Sequence, residues 1–263
     1  MLWRFSELGI LIGITALFSV FIELGFRLGR RSGRGHDEAT KNHLGALQAG
    51  LLGLLALLLS FTFAMAVSRF DDRKALVVEE ANAIGTTYLR AKLLPSPQRE
   101  EIESRLRQYV QARLDFYYAV IDEARLAAAH SKTSELQSRI WALAGVLAAQ
   151  DPKSVPTGLF IQSLNETIDL AEKRQVALDN RVPETVLLML FVVSVGALGF
   201  IAFSSGLAGH RRAVSTGIFA LLIALVLTII IDLDRERRGL IRVSQESMLR
   251  VQEALKNDLA RAP

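Results

Sequence analysis

Four uncharged, apolar runs constrain this chain more than anything else in it: Leu8–Ile22, Leu44–Ser68, Thr185–Gly209 and Ala213–Ile231. A bilayer core of roughly 30 Å takes about 20 apolar residues to cross as a helix. The last three runs meet that length unaided. The first is shorter, and Trp3, Phe5, Gly25 and Phe26 extend it into the interfaces. Lipid is therefore the solvent for four pieces of the polypeptide. The expectation is a multipass protein of the cell (inner) membrane whose first partner is the bilayer itself.

The bulk composition hides a division. Arg69 to Val182 is rich in charge, while the membrane runs hold almost none. The net charge of +4 is modest and does not argue for nucleic acid. The basic cluster Arg27, Arg30, Arg31 and Arg34 follows a membrane run, where orientation determinants and contacts with anionic lipid belong. There is no cysteine, which excludes disulfides, thiol catalysis and thiolate metal sites. Arg4 before an apolar run has the look of a secretory signal. No small-x-small cleavage pattern follows, and Glu23 to Arg31 is strongly charged, so an uncleaved helix is expected.

Four domains follow from the pattern. Residues 1–68 hold membrane helices 1 and 2, and 69–182 an extramembrane helical bundle. Residues 183–232 hold membrane helices 3 and 4, and 233–263 an amphipathic C-terminal helix packing on the bundle. The second membrane helix is expected to run past Arg69 towards Leu94, where Pro95-Ser96-Pro97 stops it. Ser96 suits the N-cap of the next helix, Pro97 its first position, and Glu100 and Glu101 its positive end. Ile102, Leu106, Tyr109, Arg113, Phe116, Val120 and Ala124 then form a helical stripe with one basic member. Leu136, Ile140, Leu143 and Leu147 mark a further helix. Asp151-Pro152 and Val155-Pro156 mark a loop, and Phe160, Leu164, Ile168 and Ala171 the helix after it. Pro183 starts the third membrane helix. The tail repeats the stripe with Ile241, Ser244, Met248, Val251, Leu255 and Leu259. No segment alternates as a strand would. The fold class is all-α: four membrane helices, with a helical bundle inserted between the second and third.

With four crossings, both termini and the bundle share one side. The short loops carry Arg27, Arg30, Arg31, Arg34, Lys41, Arg211 and Arg212. Opposite them stand Arg4, Arg235, Arg237, Arg238 and Arg242. Long segments are discounted in this balance. It favours cytoplasmic short loops and an extracytoplasmic bundle.

Two membrane helices carry small-residue stripes. On the second these are Gly45, Ala49, Gly53, Ala56, Ser60, Ala64 and Ser68. On the fourth they are Thr216, Ala220, Ala224, Thr228 and Asp232. Such faces let helices approach closely in lipid, within or between subunits. A sharper reading makes part of the second helix a pore lining. Ser60 and Thr62 would offer hydroxyls, and Phe61 or Phe63 a hydrophobic constriction that gates by dewetting. No acid or base lies mid-membrane. The membrane-edge acids are Glu23 and Asp232, and Glu23 precedes Arg27 by one turn, as an interfacial ion pair would. A proton-coupled carrier would show a buried carboxylate or histidine instead.

Beyond the second membrane run, Asp72, Glu79, Glu80, Asn82 and Arg90 are candidates for a polar vestibule or cation site. Glu79, Asn82, Thr86 and Arg90 fall on one stripe; interhelical hydrogen bonding and solvation explain the same pattern. Asp232, Asp234 and Glu236 lack calcium-loop spacing and its glycine. His36, His43, His130 and His210 are scattered without zinc spacing. Gly33-Arg34-Gly35 is no dinucleotide fingerprint, and there is no Walker loop. Asn165-Glu166-Thr167 fits a glycosylation sequon. No nucleophile–base pair stands out. The reading assigns no enzyme, no catalytic residue, no metal and no cofactor.

The chain resembles the bacterial bestrophin-like membrane family. The likeness rests on RFDDRKALVVEEANAIGTTYLRAKLLP (Arg69 to Pro95), RLRQYVQARLDFY (Arg105 to Tyr117) and IDLDRERRGLIRVS (Ile231 to Ser244). Kinship with bestrophins implies a pentameric anion channel with four membrane helices and a cytosolic helical part. Its second membrane helix would line the pore, and Ser60, Thr62 and Phe63 become neck candidates. The leading expectation is an oligomeric bestrophin-like channel, with inorganic anions such as chloride as the permeant class. Against it stands a non-catalytic membrane-anchored scaffold or sensor that binds a protein through its bundle, motivated by the amphipathic tail. A proton-coupled carrier using Glu23 or Asp232 is the third.

Overall fold

The computed structural model describes residues 6–32, 38–120, 122–235 and 239–261. Trp3, Arg4, Phe5, Gly33, Arg34, Gly35, His36, Glu236, Arg237, Arg238 and the side chain of Lys41 lie outside the described residues. Among the described residues all regular structure is helical, in the order α1 (Glu7–Arg31), α2 (Glu38–Ala91), α3 (Gln98–Tyr118), α4 (Glu123–Gln150), α5 (Val155–Asp179), α6 (Glu184–Leu207), α7 (Ala213–Leu233) and α8 (Glu246–Arg261). Among the described residues four stretches, in α1, α2, α6 and α7, are long and apolar enough to cross a membrane. The chain divides into two compact units: 1–70 with 181–241, and 71–180 with 242–263. Helix α2, 54 residues long, contributes to both.

The first unit is the membrane unit. Its core joins Phe18, Leu55, Leu190, Leu198, Ala224 and Leu227, and Phe18 stacks on Phe191 with ring centroids 5.6 Å apart. Helices α1 and α6 meet backbone to backbone. A Cβ added at Gly25 would strike the carbonyl of Gly199, and one at Gly29 that of Phe203. From the other side, a Cβ at Gly206 would strike the carbonyl of Phe26. Gly25 and Gly29 stand four apart on one face, the spacing that lets two helices touch in lipid. The outward face is greasy, with Leu8, Ile12, Leu188, Val192 and Leu222 all exposed.

The second unit is a helical bundle built as the sequence stripes require. Ile84 and Tyr88 of α2, Ile102 and Leu106 of α3, and Leu136 and Ile140 of α4 are buried together. Phe160 and Leu164 of α5 and Met248 and Leu255 of α8 complete the core.

Four boundaries differ from expectation. The N-cap of α3 is Pro97, not Ser96; the Ser96 hydroxyl instead donates to Glu100 at 2.7 Å and accepts from Arg99 at 2.9 Å. Helix α3 stops at Tyr118, short of Val120 and Ala124. Val120 turns the chain with φ +52°, and Asp122 then caps α4 by accepting from the Arg125 amide at 3.1 Å. Val155-Pro156 is a helix start rather than a loop, because Ser154 caps α5 and proline suits a first turn. In the tail, Ile241 and Ser244 precede α8, and Leu259 is exposed.

Candidate functional site

The face of α2 within the membrane unit carries the pore candidates. Gly45, Ala49, Gly53, Ala56, Ser60, Ala64 and Ser68 are all exposed. A Cβ added at Gly45, Gly50 or Gly53 would meet nothing within 4 Å. The opposite side of the same helix packs inward through Leu55, Thr62 and Ala66. Ser60 and Phe63 thus share the open face, Phe63 at 40% exposure, with Phe61 at its edge. Thr62 does not. It is buried, and its hydroxyl donates to the Leu58 carbonyl at 2.9 Å. The expected hydroxyl pair therefore reduces to Ser60 on the exposed side.

The two membrane-edge acids are engaged. Glu23 receives Arg27 Nε at 2.7 Å on one oxygen and an Arg211 guanidinium nitrogen at 2.8 Å on the other. Arg211 also lies over the Phe26 ring at 5.5 Å. Asp232 is buried and accepts from the amides of Leu240 at 3.1 Å and Ile241 at 3.0 Å. A side chain at Gly239 would collide with that carboxylate. Asp234 receives the Val182 amide at 3.1 Å. Asp232 and Asp234 thus fasten the chain around the end of α7.

The vestibule candidates separate in the bundle unit. Asp72 is exposed. Glu79, Asn82 and Thr86 line an open groove of about 680 Å³ facing Asn165, Asp169 and Lys173 of α5. Arg90 is half-buried and donates to the Leu159 carbonyl at 2.7 Å. Glu80 departs from the expected vestibule, because it is fully buried. Arg113 Nε donates to it at 2.5 Å, and an Arg174 nitrogen at 2.8 Å. Arg174 in turn donates to Gln245 at 2.8 Å. Burial alone pushes the Glu80 carboxyl up; the two guanidiniums overcome it and hold the group below the usual carboxylate range.

Sequence reasoning missed Arg174 and Gln245, and it left Arg113 without a role. The signal was present. Arg113 was the one basic member of an apolar stripe, and Arg174 stands three residues beyond Ala171 on the buried face of α5. A lone arginine on a buried face requires a carboxylate partner. Among the described residues no group of three or more acids and histidines could hold a metal ion.

None of the curated proteins compared matches the chain. Solved structures do match its fold. A bacterial bestrophin homologue from Klebsiella pneumoniae superposes with TM-score 0.64 at 17% identity, covering 97% of this chain and 98% of the homologue. A single-substitution variant of that homologue gives TM-score 0.67 at 16% identity, covering 98% and 100%. At such identity the likeness concerns the fold. The sequence itself matches the Bestrophin-like domain over residues 15–248, nearly its whole length, and the chain belongs to that family.

Proposed function

We propose that copies of this chain assemble into a channel for inorganic anions such as chloride, with α2 of each copy against the axis. One observation carries the reading. The small-residue face of α2 is exposed along its whole membrane run, where a protomer standing alone would leave Gly45, Gly50 and Gly53 against lipid. Small faces of this kind are used where other backbones, or a water path, come close. Ser60 supplies a hydroxyl donor on that face, and Phe63, with Phe61 beside it, the apolar ring that a dewetting neck needs. The family membership and the fold of the Klebsiella homologue support the same reading.

The experiment is current across planar bilayers containing purified oligomer. A chloride gradient should set the reversal potential, and Phe63→Ala should change the conductance. Silence from a well-folded oligomer overturns the proposal. The scaffold alternative loses its motive, since the apolar face of α8 is occupied by its own bundle through Met248 and Leu255. The carrier alternative loses free groups, since Glu23 and Asp232 are both engaged.

Orientation is a separate proposal. The Lys/Arg balance favours cytoplasmic short loops and an external bundle, opposite to the bestrophin arrangement. With no cysteine in the chain, a cysteine at exposed Asn165 reports the side directly. Labelling of intact cells by an impermeant maleimide supports an external bundle, and labelling only after lysis reverses it.

A further inference from the structure

The short-loop end of the membrane unit holds a pocket that the channel reading does not use. Helix α6 ends at Leu207, and the chain turns through Gly209 (φ +71°) and His210 into α7. Between α2, α6 and α7 lies a cavity of about 430 Å³, lined by Gln48, Leu52, Ser204, His210, Arg212 and Phe219 among others. Its chemistry is divided. Leu52, Ile201 and Phe219 make an apolar part, while the serines, Gln48, His210 and Arg212 make a polar one.

Three features of the polar part point to an anion. The Ser204 hydroxyl is buried and has no hydrogen-bond partner. Its neighbours are committed: Ser205 donates to the Ile201 carbonyl at 3.0 Å and Ser215 to the Arg212 carbonyl at 3.2 Å. A shielded hydroxyl without a partner is unfavourable, and rotation about the Ser204 Cα–Cβ bond is what would bring it to a ligand in the cavity that this residue lines. The two loop arginines also differ. Arg211 is paired with Glu23, which it shares with Arg27, whereas Arg212 lines the cavity and makes no ion pair among the described residues. Finally, Arg212 is the N-cap of α7 and offers no side-chain acceptor. The amides of the first turn are therefore open, and a cation stands where the helix dipole favours an anion.

An inorganic anion would use only the polar part. A phospholipid uses both, since its phosphate meets Arg212, Ser204 and the α7 amides while its chains run beside Leu52 and Phe219. The pocket sits where two membrane helices end, the level at which headgroups lie. We propose that this pocket binds the phosphate of an anionic phospholipid, independently of whether the assembled protein conducts.

The test is native mass spectrometry of the purified full chain with dioleoylphosphatidylglycerol or dioleoylphosphatidylcholine, and with inorganic phosphate as a competitor. The wild type should retain phosphatidylglycerol over phosphatidylcholine. Arg212→Gln should lower that retention about fivefold, the effect of one basic residue at an anionic lipid surface. Arg211→Gln removes the same charge from the same loop and should change retention by less than about twofold, as for an exposed pair. Leu52→Trp keeps every charge, fills the apolar part and should also lower retention; it serves as the second variant should Arg212→Gln fold poorly. Equal losses in the two arginine variants, or equal retention of the two lipids, overturns the proposal. Displacement of phosphatidylglycerol by millimolar inorganic phosphate overturns the lipid source and leaves a free-anion site.

Discussion

In the membrane unit the closest contact is backbone on backbone, Gly25 and Gly29 of α1 against α6 and Gly206 against α1. In the bundle unit a fully buried carboxylate, Glu80, is held between two guanidiniums. The contrast follows from the solvent each unit must leave. Lipid tails are as apolar as leucine, so burying leucine there gains little, and van der Waals contact between close backbones takes over. In water, burying apolar surface contributes about 25 cal/mol per Å². A core such as that around Ile84, Leu106 and Ile140 can then coexist with a buried ion-pair network. Such a network adds little net stability and is costly when broken.

The largest expected effect tests the bundle side of that contrast. Glu80→Leu removes the carboxylate to which both buried arginines donate and should destabilise the bundle by about 3–5 kcal/mol, read by chemical denaturation. A loss below about 1 kcal/mol would mean that the arginines find other partners, as surface pairs do. The corresponding lesion in the membrane unit is Gly206→Leu, which pushes α1 off α6. It should cost about 3 kcal/mol and shift the protein to aggregates in size-exclusion chromatography. Survival of a monodisperse peak would show that α1 and α6 tolerate separation.

Within the membrane unit a second pairing sharpens the point. Thr216, Ala220, Ala224, Thr228 and Asp232 of α7 are all buried in the protomer, while the matching stripe of α2 is exposed. Ala224→Leu should destabilise by about 1–3 kcal/mol through overpacking. Ala56→Leu should leave protomer stability within about 0.5 kcal/mol, as surface changes do, yet alter assembly or current. Equal thermal shifts from both would remove the distinction.

That pairing marks the limit of what the sequence discloses. The four spans were legible because hydropathy and length are local properties. The bundle stripes were legible because Ile102, Leu106, Leu136 and Ile140 repeat at helical spacing. The fates of the two small-residue stripes were not, since both obey the same period and only the tertiary arrangement says which is covered. Glu79 and Glu80 are adjacent carboxylates; one faces a groove and the other is buried because a helix turns about 100° per residue. The Gly25–Gly29 pair passed unnoticed because half its contact lies on Gly206, far along the chain. The short-loop pocket was equally hidden. His210 and Arg212 were read only as a scattered histidine and a topology charge, and Ser204 not at all.

The smallest effect concerns how α8 is held to the bundle. Asp258 accepts from Lys92 at 2.5 Å and from Tyr88 at 2.9 Å. The Lys92 ammonium, then the Tyr88 hydroxyl, hold its carboxyl below the usual aspartate range. Burial, followed by the Asp258 hydrogen bond, pushes the Tyr88 hydroxyl up, so it stays protonated and donating. A depressed folded pKa stabilises above the unfolded value, about 3.9 for aspartate, and that contribution fades as pH falls through the lower folded value. Wild type should therefore protect the α8 amides from hydrogen exchange better than Asp258→Asn at neutral pH. The difference should shrink as pH falls below about 4, because both side chains are then neutral. A difference that persists unchanged at low pH would assign the docking of α8 to the packing of Met248 and Leu255 alone. The surface polar cluster would then add nothing to the apolar core that the bundle, unlike the membrane unit, can rely on.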